Sequence, residues 1–324
     1  MKVTERVLSL LENNKGEYIS GEQIACEIGC SRNAVWKAVN SLKKKGYEIN
    51  AVTNKGYALS EQNQIVSAQS IEKHLNHNNI RVVVKDSVTS TMTLCKELCE
   101  KGEAEGLLLV AKEQTQGKGR LGRSFISKDK TGIYFSLILR PYMSPQDSLL
   151  ITTCAAVAVA KAIEKHSGKD TKIKWVNDIF MDDKKVCGIL TEASFDMETG
   201  RLAYAVLGIG INVYFDRDSI PEEIRDIAGS VFDNENYDSE AVSKIVADTV
   251  NFFMEEYSHL TEKQFFTEYE KRMYLTGKRI LVIKPDETKS AIARGIDNSF
   301  RLLVEYENGE SEYLSTGEVS TKTN

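Results

Sequence analysis

Three glycines and three cations fill the seven residues Gly117-Lys-Gly-Arg-Leu-Gly-Arg123. Glycine lets backbone amides come up to a ligand, and Lys118, Arg120 and Arg123 add positive charge, so the stretch suits closure over an anion such as a phosphate. Gly117, Gly119 and Gly122 also satisfy G-x-G-x-x-G, behind an apolar strand expected over 107–111. The segment that follows, Ser124-Phe-Ile-Ser-Lys-Asp-Lys130, is short, polar and without helical period. It offers no helix N-terminus to a pyrophosphate, which excludes a dinucleotide fold. No Gly-Lys-Ser/Thr closes the motif, and neither Val-Ala-Ile-Lys nor Asp-Phe-Gly accompanies it, so P-loop and protein-kinase readings fail too. Taken alone, the loop fits a plain surface segment equally well.

Three other stretches stand where strands should end. Ser90-Thr91 puts two hydroxyls ahead of a helix, which by themselves read as an N-cap. Lys174-Trp-Val-Asn-Asp178 closes a strand on an amide and a carboxylate, and the turn Asp182-Asp-Lys-Lys185 returns the chain with a lysine at its start. A hairpin of that length brings Asp178 and Lys185 together at the sheet rim. Gly208-Ile-Gly-Ile-Asn212 ends the last strand with two glycines, which permits close backbone approach to a ligand.

The elements that must position these residues follow from periodicity. Strands are expected over 81–85, 107–111, 133–139, 172–175, 179–181, 185–192 and 202–209, with a polar loop over 86–91. Helices are expected over 92–101, stopped by Gly102, and over the apolar stretch 149–163. From Lys172 onward the connections are too short for parallel crossovers, so the sheet should be mixed or mostly antiparallel, an α+β layer. Residues 219–236 read as irregular, then helices over 239–259 and 262–273. Short β runs over 279–284, 291–296, 302–307 and 312–314, with turns at Asp286-Glu287 and Asn308-Gly309, imply a small barrel.

The first sixty residues read differently. Amphipathic helices over 3–14 and 20–28 are followed by a Gly29-Cys30 turn and a third helix capped by Ser31. On that third helix Val35, Val39 and Leu42 share one face, while Asn33, Lys37, Asn40 and Lys44 share another, beside Arg32 and Trp36. A hairpin with a basic tip at Asn54-Lys55-Gly56 makes the module winged. Residues 31–60 carry six basic residues against Glu48 alone, although the whole chain has a formal net charge of -5. That asymmetry points to DNA, with the lysines, Lys55 included, on phosphates and Arg32, Asn33, Trp36 and Lys37 on base edges.

The chain has 324 residues, 41% hydrophobic and 27% charged, room for two or three domains. No membrane span and no signal peptide are expected, which places the protein in the cytoplasm. Cys26 and Cys30, like Cys95 and Cys99, have the spacing of core neighbours in helices, and with four scattered histidines no structural metal site is expected.

Together and in this order, Ser90-Thr91, the 117–123 loop, Lys174-Trp-Val-Asn-Asp178, Lys185-Val-Cys-Gly188 and Gly208-Ile-Gly-Ile-Asn212 resemble the signatures of the biotin protein ligase family. The resemblance spans nearly the whole chain. With Ser20-Gly-Glu-Gln and the winged module in front, it is strongest to the bifunctional bacterial form, biotin ligase and biotin operon repressor in one polypeptide. It implies a winged helix-turn-helix over 1–64, a class II synthetase-like catalytic domain over 65–275 and an SH3-like barrel over 276–324. Arg294-Gly-Ile-Asp297, Leu302-Leu-Val-Glu305 and Gly317-Glu-Val-Ser320 support the last.

The chemistry implied is the formation of biotinyl-5'-adenylate from biotin and ATP with magnesium, then transfer of biotin to a lysine of a carboxyl carrier protein domain. By resemblance, Ser90, Thr91 and Gln114 hold the ureido end, and Lys118 to Arg120 lie along the tail and phosphate. Lys185 bridges the carboxylate and the α-phosphate, Arg120 retains the adenylate, and Asp178 receives or orients the acceptor lysine. Gly117, Gly119, Arg123, Gly188 and Asn212 complete the expected binding set. The bound adenylate should favour a homodimer that presents two winged modules to operator DNA. The sequence departs from the family at Val176 for proline, Phe125 for tryptophan, Met92 for asparagine or glutamine, and Phe300 for glycine. Alternatives are a biotin-sensing repressor without catalysis, a ligase without specific DNA binding, and a lipoate ligase.

Overall fold

A computed structural model describes residues 2–63, 65–216, 218, 220–234, 237–284, 287–315 and 318–320. They form two compact units, Met1–Asn78 with Asn236–Asp248, and Asn79–Glu235 with Thr249–Asn324.

In the first unit, α1 (Val3–Asn13), α2 (Gly21–Ile28) and α3 (Arg32–Lys44) precede a hairpin of β1 (Ile49–Val52) and β2 (Gly56–Leu59). The helix ends are where local chemistry puts them. The Ser20 hydroxyl accepts from the Gln23 amide while the Gln23 side chain accepts from Ser20, and Gly29 in the left-handed region closes α2. Ser31 caps α3 through the Ala34 amide. Val7, Leu11, Ile24, Val35, Val39 and Leu42 form the core. At the hairpin tip Gly56 has φ 109, and a Cβ there would stand 2.1 Å from the Ile19 carbonyl oxygen. Only glycine fits that approach. Cys26 is exposed, against expectation, because it falls on the solvent face of α2, whereas half-buried Cys30, just beyond that helix, packs against the core of this unit, and Cys95 and Cys99 are buried in that of the sheet. A short α4 (Ala68–Glu72) completes this part of the chain.

The second unit begins with β3 (Arg81–Val88), α5 (Thr91–Glu100), β4 (Leu107–Gln114) and β5 (Gly132–Leu139). It continues through α6 (Leu149–Ser167), β6 (Lys172–Lys174), β7 (Asp178–Met181), β8 (Lys184–Asp196) and β9 (Arg201–Asn212). These strands form one seven-stranded sheet in the order β3-β4-β5-β9-β8-β7-β6. Only β3 and β4 run parallel, joined through α5; every other pair is antiparallel, and from β6 onward the connections are too short for anything else. β3 extends to Val88, through part of the stretch expected as loop, because Ser87 and Val88 pair with Glu113 and Gln114. α6 is apolar almost all round. With its preceding turn, Pro145–Ser167 is long and apolar enough to span a membrane, contrary to expectation, but 72% of its most apolar window is buried. It is the core helix of the sheet.

After α7 (Glu222–Arg225), α8 (Ser239–Tyr257) and α9 (Phe266–Lys271) come five short strands. They are β10 (Arg279–Ile283), β11 (Thr288–Ile296), β12 (Leu302–Tyr306), β13 (Ser311–Leu314) and β14 (Glu318–Ser320). They pair antiparallel in the order β13-β12-β11-β10-β14. Gln64, the expected end of the winged domain, Asp286 of an expected turn and Gly317 of an expected motif lie outside the described residues. Phe300 keeps the left-handed conformation that glycine would supply, at φ 57. Its ring is wholly buried against Phe265, Phe266 and Tyr269, with centroids 5.2 to 5.4 Å apart. That packing offsets a backbone cost of about 1–2 kcal/mol.

Candidate active site and nucleic-acid surface

The sheet's pairing brings the separate motifs into one row. Asp178 of β7 stands opposite Gly188 of β8, and Gly188 opposite Gly210 of β9. A bulge between Ile179 and Phe180 puts Lys185, not Val186, opposite Phe180. The extra residue turns Lys185 back to the face of Asp178, while Val186 is buried. The Lys185 ammonium then lies 2.7 Å from Asp178 Oδ1. The contact is one of charge, since that buried oxygen has no aligned hydrogen-bond donor.

Above this row the cation-rich loop is a small hairpin. Lys118 pairs with Ser124 and Gln114 with Ser127, and a single 3-10 turn, Arg120–Gly122, makes the tip. Gly117 is buried at its base, where a Cβ would stand 2.3 Å from the Phe125 carbonyl oxygen. Arg120 donates to Asn177 Oδ1 at 3.0 Å. The Asn177 amide in turn donates to the Ile189 carbonyl at 2.7 Å.

Loop and sheet enclose a cavity of about 220 Å³. At one end the Thr91 amide and hydroxyl both donate to Gln114 Oε1, at 2.8 and 3.1 Å, and Gln114 Nε2 donates to Ser127 Oγ. The Ser136 hydroxyl donates to Thr91. Ser90, almost fully buried, caps α5 by accepting from the Thr93 amide, which leaves its own proton to donate. This end is a pre-set polar network, costly to disturb. At the other end are Lys118, Arg120, Arg123, Asp178 and Lys185.

Gly117 and Asn212 are the two expected binding residues absent from the lining. The Asn212 amide donates to the backbone carbonyls of Lys185, at 3.2 Å, and Gly229, at 2.9 Å. It holds the strand that carries Lys185. The β9 glycines Gly208 and Gly210 line the cavity, as expected of a close approach, and they also have a packing role. A Cβ at Gly208 would meet the Met92 sulfur at 2.3 Å, and one at Gly210 the Phe125 ring at 2.7 Å. They make room for side chains of the chain itself. Asn177 and Phe125 stand out in the sequence, but sequence reasoning gave them no place in the site. Their signal was position, since one precedes Asp178 and the other closely follows the loop.

In the first unit Arg32, Asn33, Trp36, Lys37, Lys44 and Lys55 are exposed, Trp36 by 54%, and Asn40 is half-buried. The groove between the start of α3 and the hairpin is lined by Arg32, Asn33, Trp36 and Asn54. The Lys55 ammonium lies 6.0 Å over the Tyr18 ring.

A cavity lined by cations and a polar network thus lies in one unit, and a winged helix makes up the start of the other. Comparison with known proteins takes this further. The biotin/lipoate A/B protein ligase family matches residues 84–212, an HTH domain 3–58 and the biotin protein ligase C terminal domain 275–322. The bifunctional ligase/repressor BirA of Bacillus spizizenii is 40% identical over 227 residues, 69% of either chain. That of Escherichia coli is 27% identical over 98% of this chain and 97% of its own. Among solved structures, the biotin protein ligase of Aquifex aeolicus in complex with biotin and ATP superposes with a TM-score of 0.60, at 27% identity. It covers 74% of this chain and 97% of that one. The chain belongs to the biotin protein ligase family, in the arrangement of its bifunctional ligase/repressor members.

Proposed function

We propose that the protein is an ATP-dependent biotin protein ligase that also represses transcription when biotinyl-5'-adenylate is bound. The observation that carries this is the meeting, in one cavity, of the Ser90, Thr91 and Gln114 network with Lys118, Arg120 and Lys185. One end can hold a neutral fused-ring head, while the other collects the negative charge of a carboxylate and an α-phosphate.

In the first half-reaction a carboxylate oxygen of biotin attacks the α-phosphorus, and pyrophosphate leaves. Lys185 and Arg120 stabilise the charge that builds on the α-phosphate oxygens. In the second, the amine of the carrier-domain lysine attacks the acyl carbon and AMP leaves. Asp178 orients that amine and takes its proton, turning from Lys185 once the pyrophosphate has gone. Phe125 and Trp175 supply the apolar wall. Among the described residues no three His, Cys, Asp or Glu form a metal cage. Magnesium would be held mainly by the nucleotide phosphates, where it would neutralise their charge.

The three working parts are 1–64, 65–275 and 276–324. Closure of the 117–123 loop over the adenylate favours a homodimer, and two winged modules then meet a two-fold operator in the cytoplasm. The test is incubation with biotin, ATP, magnesium and a biotin carboxyl carrier domain. Biotin should appear on that domain's acceptor lysine and not on a Lys→Arg control. Binding of biotin without any transfer would instead leave a sensing repressor.

A further inference from the structure

Two buried hydrogen bonds tie the loop between β6 and β7 to the last third of the chain, and neither donor is a group that contacts substrate through that bond. Trp175 donates its indole N–H to the Phe300 carbonyl at 2.8 Å. Tyr269 donates its hydroxyl to the Val176 carbonyl at 3.1 Å. Tyr269 and Phe300 are wholly buried and meet edge to face at 5.2 Å. Burial pushes the Tyr269 phenol well up, so it remains a donor throughout the working pH range. The neighbouring strand is fastened from the same side, with Ile173 N–H on the Arg272 carbonyl at 2.7 Å and Tyr274 N–H on that of Ile173 at 2.9 Å.

The next residue after this fastened pair is Asn177. Its backbone carbonyl accepts from the Ile189 amide at 2.9 Å, its side-chain amide donates back to Ile189, and its Oδ1 receives Arg120. Asn177 is thus a fixed spacer between the sheet and the guanidinium at the loop tip. A shift of the 175–177 backbone would move that oxygen and with it the seat of Arg120.

We propose that Tyr269 and Phe300 are positioning residues for Arg120, acting through Val176, Trp175 and Asn177, so that the C-terminal part of the chain governs how long the adenylate stays bound. The proposal rests on the adenylation reading above. Phe300 acts through its carbonyl and through the ring that keeps its turn in place. Tyr269 acts through one hydroxyl.

The experiment follows release of preformed adenylate from the full chain in four proteins, wild type, Tyr269→Phe, Arg120→Ala and the double variant. Melting temperature and KM for biotin are read alongside. Tyr269→Phe should release adenylate about fivefold faster, which converts to about 1 kcal/mol, with KM for biotin unchanged. In the Arg120→Ala background the same substitution should add nothing, because the group it positions is gone. Equal acceleration in both backgrounds, or none in either, overturns the proposal. Should Tyr269→Phe fail to fold, Phe300→Leu, which trims the ring that keeps its turn in place and lies outside the cavity lining, is judged by the same pair of backgrounds. If the wild type forms no adenylate at all, it is the functional reading that falls.

Discussion

Lys185 faces Asp178 because of one extra residue in β8, and Arg120 is seated by one asparagine. Such fine placement makes small changes informative. Gly117→Ala would thrust a methyl to within 2.3 Å of the Phe125 carbonyl oxygen, a backbone atom that cannot yield cheaply. We expect adenylation to fall at least tenfold, as a hairpin forced open misplaces Lys118 and Arg120, with a stability loss within about 1–3 kcal/mol by urea titration. Asn212→Ala should lower the rate of adenylation more than biotin affinity, since the amide holds the strand bearing Lys185 and not the cavity wall. Single-turnover kinetics beside biotin titration separates the two. At this scale most of the site was legible in the sequence, because glycines, cations and the Asp178–Lys185 hairpin leave composition signals. The roles of Gly208, Gly210 and Asn212 were not. What a glycine makes room for depends on the side chain that arrives from another element, here Met92 and Phe125.

The elements follow the same division. Where local chemistry decides, as at Ser20, Gly29 and Ser31, helix ends fall where the sequence puts them. Where pairing decides, they do not. β3 continues through polar Ser87 to Val88 because β4 lies beside it, and only its partner's register reveals that. In the first unit, α3 and the hairpin present Lys37, Lys44 and Lys55 to solvent. Replacing any one by alanine should weaken operator and random DNA alike, and reduce the slope of log affinity against log salt by about 0.9 for each phosphate no longer neutralised. Asn33→Ala should act differently, weakening operator binding while leaving random DNA nearly untouched. Fluorescence anisotropy with both duplexes at several salt concentrations distinguishes the cases. Equal weakening on both duplexes for Asn33→Ala would remove it from base reading.

Across the whole molecule, acid should act first through a charge cluster of the first unit. Glu240 lies 3.3 Å from both Lys73 and Lys244, 3.4 Å from His74 and 3.8 Å from Lys15. Burial raises its carboxyl, but the ammonium groups of Lys73 and Lys244 outweigh that and hold it down to about 2, from an ordinary 4.5. A folded value below the unfolded one means stability is present above pH 4.5 and lost as pH falls from there towards about 2. His74, lowered by burial and by Lys73, adds a loss that begins below its ordinary 6.5. Glu12, raised mainly by burial, opposes both, since its penalty is relieved by protonation. Urea unfolding across pH should therefore show stability falling with acid, and Glu240→Gln should flatten the fall below pH 4.5. An unchanged slope in that variant would mean that Glu240 gains nothing from its cations on folding.

The proposed function rests on one step, the joining of a carboxylate to an α-phosphate in the cavity. Isotope exchange of pyrophosphate into ATP reads that step alone, with biotin as substrate and lipoate as the comparison. We predict exchange with biotin, little with lipoate, and at least a hundredfold loss in Lys185→Ala, on the order of that for removal of a charge-stabilising group. Exchange with lipoate in preference, or none with either acid despite biotin binding, would contradict it.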